Sequence, residues 1–117
     1  MKKVFLDAGH GGKDPGGVGN GLREKDISLS VTMKVGKILK QHGVVVGYSR
    51  TTDIFITLGE RSNMANRFSA DLFLSIHCNA FGDGSASGVE VYSYLESKKG
   101  AELSKDIYEN IIADKAY

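Results

Sequence analysis

The apolar positions of this chain fall into two alternating rhythms. Val4-Phe5-Leu6 is a short apolar run between Lys3 and Asp7, followed by a glycine-dense stretch from Gly9 to Gly21. It reads as a buried strand entering a long loop, with a turn at Asp14-Pro15-Gly16 around the only proline. From Glu24 to Gln41, Ile27, Val31, Val35, Ile38 and Leu39 recur at helical spacing, and His42-Gly43 supplies a stop. Val44-Val45-Val46 predicts a second buried strand ending near Ser49-Arg50. Thr57 and Glu60 match a capping box, and Leu58, Arg61, Ala65 and Phe68 share one face of the helix that follows. Asp71 to Asn79 predicts a third strand, with Ser75, His77 and Asn79 on one face and Leu74, Ile76 and Cys78 on the other. Val89 and Val91 alternate with Glu90 and Tyr92 in an expected fourth strand, and Leu103, Ile107, Ile111 and Ile112 form the expected buried stripe of a last helix. The order β-α-β-α-β-β-α predicts an α/β fold, a layered mixed sheet flanked by helices, as one domain over residues 1–117.

Composition narrows this picture. At 117 residues and 41% apolar content, the chain can fill one core. Fifteen basic residues against fourteen acidic ones leave a formal charge of +1, without any block of like charge, so no nucleic-acid footprint is present. Cys78 is the only cysteine, which excludes an intramolecular disulfide and a cysteine-rich zinc site. Met1-Lys2-Lys3 is followed by three apolar residues before Asp7, too few for a secretion signal, and no stretch approaches the roughly 20 apolar residues of a membrane span.

Three side chains carry the candidate chemistry. His10 ends the first strand inside Gly9-His10-Gly11-Gly12, Glu24 opens the first helix, and His77 lies near the end of the third strand. Singly, each has an ordinary explanation: a loop histidine, a carboxylate favoured by the helix dipole, a satisfied core histidine. Together, two imidazoles and a carboxylate are the ligand set of an open catalytic Zn²⁺ site with a fourth position for water, expected at the C-terminal edge of the strands. His42 belongs to a helix C-terminus, and Cys78 faces away from His77. A nucleotide loop is excluded by mismatch: Gly9-x-Gly11 would need glycine at position 14 and meets Asp14, which also stands where a P-loop needs Ser or Thr.

The words Leu6-Asp7-Ala8-Gly9-His10-Gly11-Gly12, Asp14-Pro15-Gly16, Glu24 and Ser75-Ile76-His77-Cys78-Asn79-Ala80 resemble the zinc-dependent N-acetylmuramoyl-L-alanine amidases, the catalytic domains of autolysins, spore and mother-cell lysis enzymes and phage endolysins. Further matches are Ser49-Arg50-Thr51 with Asp53, Leu58 with Arg61, Ala65-Asn66, Ala70-Asp71-Leu72 and Gly88-Val89-Glu90-Val91-Tyr92, so the resemblance spans essentially the whole chain. It implies one Zn²⁺ held by His10, Glu24 and His77, with Asn79 and the Gly11-Gly12 backbone near substrate. Arg61, Asn66 and Asp71 are expected to fix helix and strand junctions, and Asp7 to anchor the loop or to support the ligands from behind, not to ligate. The implied reaction is hydrolysis of the amide between N-acetylmuramic acid and L-alanine in peptidoglycan.

The family's second glutamate, in a late Glu-x-Gly-Phe-like motif, has no counterpart before Tyr117. The expectation is therefore a C-terminally incomplete amidase domain lacking the catalytic carboxylate and at least one terminal strand, with self-association through the exposed sheet edge. Glu90 is not promoted to that role. Two alternatives stand beside it: a zinc-binding pseudoenzyme that recognises cell wall without cutting it, and a related zinc hydrolase such as a stem-peptide peptidase. Synthesis in the cytoplasm and action on the bacterial wall are expected, as for an endolysin or a mother-cell lysis enzyme, with an excised domain of a secreted autolysin as the alternative; neither nucleic acid nor nucleotide is an expected partner.

Overall fold

The computed structural model of the chain describes residues 2–78, 90–93 and 97–113. It divides into two compact units, residues 1–80 and 81–117. In the first, strand β1 (Lys3–Ala8) is followed by the short strands β2 (Val18–Gly19) and β3 (Leu22–Arg23), helix α1 (Glu24–Gln41), strand β4 (Val45–Tyr48), helix α2 (Leu58–Phe68) and strand β5 (Leu72–Ile76). The second contains helix α3 (Lys98–Ala113). The expected fourth strand is not found: residues 90–93 form no strand, and Val89 lies outside the described residues. On α3, Ile107, Ile111 and Ile112 are half-buried and Leu103 is exposed, so no residue of the expected stripe is fully covered. Among the described residues, no helix is long and apolar enough to cross a membrane.

The main sheet has the order β4-β1-β5 and is parallel throughout, pairing Lys3 with Val45, Leu6 with Tyr48, Val4 with Leu72 and Ala8 with Ile76. Central placement explains the apolar run: Val4 to Ala8 are all buried, and Leu6 and Ala8 have no exposed surface. The connection through α1 runs from β1 to one side, whereas that through α2 crosses back to β5, so right-handed crossovers place the helices on opposite faces. Side-chain alternation agrees. Phe5 meets Phe68 of α2 at 6.0 Å and Phe73 at 5.9 Å, and Asp7, two residues on, meets Arg61 of α2.

Helix α1 has the predicted limits but not an apolar buried stripe. Its buried residues are Glu24, Lys25, Ser28, Thr32 and Gly36, while Val31 is 40% and Ile38 55% exposed. Small residues let the helix approach closely; a Cβ on Gly36 would run into the Tyr48 ring. Thr57 caps α2 through its Oγ1, which accepts from the Glu60 amide at 3.2 Å, as the capping box predicts. Arg61 and Ala65 are buried on α2 and Phe68 is half-buried, whereas Leu58 is exposed. Within the long loop the sequence pattern missed the antiparallel pair β2-β3, which turns at Asn20 (φ 53) and Gly21 (φ 74). An Asn-Gly pair is the usual signal for that hairpin turn.

Candidate metal centre

The two histidines follow the C-terminal ends of adjacent parallel strands. His10 lies two residues beyond β1 and His77 directly after β5, and the Gly9 amide donates to the Ile76 carbonyl at 3.0 Å, extending the ladder between them. Glu24 is the first residue of α1. Carbonyls of the loop cap that helix in place of a side chain: the Glu24 amide donates to Gly17 O at 2.8 Å and the Lys25 amide to Pro15 O at 3.0 Å. The loop is thereby tied to the helix start that presents the carboxylate.

The three side chains converge. His10 Nε2 is 3.0 Å from Glu24 Oε2, His77 Nδ1 is 3.3 Å from the same oxygen, and the two ring nitrogens are 3.3 Å apart. A tetrahedral ion with bonds of about 2.0–2.1 Å spaces its ligands about 3.3 Å apart, so this triangle fits one small divalent cation. Two glycines make room for it. A Cβ on Gly9 would stand 2.5 Å from the His77 ring, and one on Gly16 (φ +66) would stand 2.6 Å from His10 Cδ2 and 2.8 Å from Glu24 Oε1.

Glu24 is 5% exposed. Burial opposes its ionisation, but the amides of Gly17 at 3.0 Å and Cys78 at 2.9 Å, with the two imidazoles, outweigh burial and hold its pKa below the usual range. A carboxylate whose charged form is favoured suits a cation. Cys78 contributes its amide, and its thiol is pushed up first by burial and then by the Glu24 charge. His42 caps α1, with Nδ1 2.9 Å from Ile38 O. Asn79 lies outside the described residues, so its expected place near substrate is not located.

Around the trio, buried charges fix the backbone. Asp7 accepts from Ser49 Oγ at 2.7 Å, Ser75 Oγ at 2.8 Å and Arg61 Nη1 at 2.7 Å, so it ties the end of β1 to the segment after β4, to β5 and to α2. Arg61 also donates to Ala8 O at 2.7 Å and His10 O at 2.9 Å. Asp71 accepts from the Lys3 amide at 2.8 Å, joining α2's exit to β1, while Asn66 is exposed. Sequence reasoning gave no role to Lys25, Arg50 and Asp53. Arg50 Nη2 and Ser28 Oγ both donate to Gly9 O, and Lys25 Nζ bridges Gly12 O at 3.1 Å and Asp53 Oδ2 at 2.8 Å. Arg50 and Asp53 were signalled only as matches to the family pattern, and Lys25 only by its place at the start of α1. Asp14, read only as a turn residue, lies 2.8 Å from His10 Nδ1 through its Oδ2.

The family model described as N-acetylmuramoyl-L-alanine amidase matches residues 4–116. The chain belongs to the N-acetylmuramoyl-L-alanine amidase family. It is 46% identical over 96 residues to the sporulation-specific N-acetylmuramoyl-L-alanine amidase of Bacillus subtilis, covering 80% of this chain and 36% of that protein. To the endolysin of Bacillus phage SPP1 it is 43% identical over 117 residues, covering 99% of this chain and 42% of that one. Among solved structures, N-acetylmuramoyl-L-alanine amidase AmiC2 of Nostoc punctiforme superposes with a TM-score of 0.89 at 38% identity, covering 96% of this chain and 62% of that chain. The chain thus spans roughly half or less of the length of the curated relatives it matches.

Proposed function

We propose that this protein hydrolyses the amide between N-acetylmuramic acid and L-alanine in bacterial peptidoglycan, using one Zn²⁺ held by His10 Nε2, a Glu24 carboxylate oxygen and His77 Nδ1. The observation that carries this reading is the triangle of donor atoms, 3.0–3.3 Å on a side, at the C-terminal ends of β1 and β5 in a chain of this family. Zinc bound there supplies Lewis-acid polarisation of the scissile carbonyl. The protein's part is preorganisation. Glu24 is kept ionised by two backbone amides, and Arg50, Arg61 and Lys25 hold the carbonyls of the Gly9–Gly12 segment, so the site keeps its shape while substrate enters.

A second reading is a zinc-holding domain that binds cell wall without cutting it. It is favoured by the state of two carboxylates at the site: Glu24, a proposed ligand, accepts from Gly17 and Cys78, and Asp14 faces His10 and Gly16, so both are engaged and neither is placed as a general base. Purified peptidoglycan incubated with zinc-loaded protein decides between them. The hydrolase reading expects new L-alanine amino termini that disappear in His77→Ala; wall co-sedimentation without new termini supports the second reading; neither outcome refutes both.

A further inference from the structure

We infer that Asp14 is the positioning residue of the metal centre: it holds His10 with Nδ1–H bound to its carboxylate, so that Nε2 is the nitrogen offered to zinc. This rests on the zinc reading above and assigns a role to a residue outside the three ligands. His10 has a nitrogen on each side of its ring, and only one side faces Glu24 and His77. Asp14 Oδ2 occupies the other at 2.8 Å, while Nε2 stands 3.0 Å from Glu24 Oε2. A carboxylate accepts, so the 2.8 Å contact favours the tautomer with its proton on Nδ1; with the cation between Nε2 and Glu24 Oε2, Nε2 is the nitrogen left to ligate.

The carboxylate is itself fixed. Asp14 Oδ1 accepts from the Gly16 amide at 3.1 Å, and the Asp14 backbone exchanges both hydrogen bonds with Gly11, at 2.8 and 3.0 Å. One turn therefore holds the acceptor, aims the ring and places Gly16, whose missing Cβ leaves space for the ring and for Glu24. His77 differs. Its side chain is 42% exposed against 25% for His10, and no described residue sets a carboxylate on its far nitrogen. Orientation of the pair thus rests on His10, whose backbone (φ 63) already lies in the left-handed region.

Asp14 is half-exposed, so Asp14→Ala should fold, a point checked by far-UV circular dichroism. Two readouts test the inference in the full chain. The first is zinc affinity by competition with a chromophoric chelator; outer-shell partners of ligating histidines are typically worth about 10- to 100-fold in metal affinity, and a loss of that size is expected. The second is the His10 imidazole N–H in zinc-loaded, ¹⁵N-histidine-labelled protein. It should be slowly exchanging and visible in the wild type and lost in Asp14→Ala, with the urea midpoint of the metal-free protein unchanged, which a loosened turn would not leave so. Asp14→Asn keeps one acceptor oxygen, so it should retain the N–H signal with a smaller affinity loss, and it decides the case should the alanine variant not fold. Equal zinc affinity and an unchanged N–H signal in the variants would overturn the inference alone. A wild type that takes up no zinc would overturn it together with the zinc reading.

Discussion

Removing the Arg61 guanidinium should unfold this protein more readily than any change on its surface. Arg61 and Asp7 are 2.7 Å apart, with side chains 4% and 5% exposed, and the same guanidinium serves the carbonyls of Ala8, His10 and Ile56. Arg61→Leu leaves a buried carboxylate with two hydroxyl partners and takes the guanidinium donor from the His10 and Ile56 carbonyls, while Ala8 O keeps Arg50 Nε at 3.2 Å. Breaking a buried pair from one side typically costs about 3–5 kcal/mol. At roughly 4 °C per kcal/mol for a domain of this size, that is a fall of about 12–20 °C in Tm. The internal control is Arg67, which pairs with Glu60 at 2.6 Å but with side chains 64% and 46% exposed. Its replacement by alanine should shift the midpoint hardly at all, because water screens the pair and competes for both groups. Urea unfolding of the metal-free variants, followed by circular dichroism, measures both. Arg61→Leu with Asp7→Asn should be less destabilised than the sum of the single changes, since the second removes the stranded charge. If Arg61→Leu costs no more than Arg67→Ala, burial is not what gives the pair its weight and the reasoning fails.

Zinc stoichiometry after dialysis should be near one, survive His42→Ala, whose ring caps α1, and collapse in His77→Ala; indifference to His10→Ala and His77→Ala alike would remove the metal centre. Thr57→Ala should cost about 1 kcal/mol in chemical unfolding through loss of the α2 cap. The Asp53 carboxyl is held below its ordinary pKa by the Lys25 ammonium and then by the Gly12 amide, so its contribution to stability is complete above the unfolded chain's pKa and is lost as pH falls through the lower folded value. Asp53→Asn should therefore flatten the acid limb of a Tm-against-pH curve for the metal-free protein, and an unchanged limb would refute the assignment.

The elements that sequence periodicity located are those whose patterns follow from backbone geometry. α1 has the predicted bounds, α2 begins at the predicted cap, and β1 is the central strand that an unbroken apolar run describes. The candidate trio was legible for a different reason: two imidazoles and a carboxylate are a recognisable zinc-binding set, and the glycines around His10 marked where an imidazole could face a cleft. What periodicity could not show is which stripe of α1 meets the sheet. Ile27, Val31 and Val35 carry the hydrophobic signal, yet Ser28, Thr32 and Gly36 are the fully buried residues, because closeness of approach selects small side chains as strongly as apolarity does. The β2-β3 hairpin escaped because each strand has two residues, too few for any alternation, although Asn20-Gly21 announced its turn.

The donors to the strand-end carbonyls were only partly legible, Arg61 as a residue expected to fix a helix and strand junction, Arg50 as a bare match to the family pattern and Ser28 not at all, for a reason that also explains the site. A strand end carrying a ligand cannot continue its ladder on every side, and the carbonyls of Ala8, Gly9 and His10 therefore need donors from elsewhere. Arg50, Arg61 and Ser28 supply them, from three elements distant in sequence. No local pattern announces such donors; they are fixed only when β4, α2 and α1 have closed around β1. The left-handed His10 backbone is sterically disfavoured for a residue other than glycine, and it persists because the Arg61–His10 carbonyl bond and the Gly11–Asp14 bridge hold the chain on either side. Metal affinity and folding stability should consequently fall together in Arg61→Leu and separate in Asp14→Ala, where zinc affinity drops while the urea midpoint of the metal-free protein stays near that of the wild type. Parallel losses in both variants would mean that Asp14 belongs to the folding scaffold and has no separate part in aiming His10.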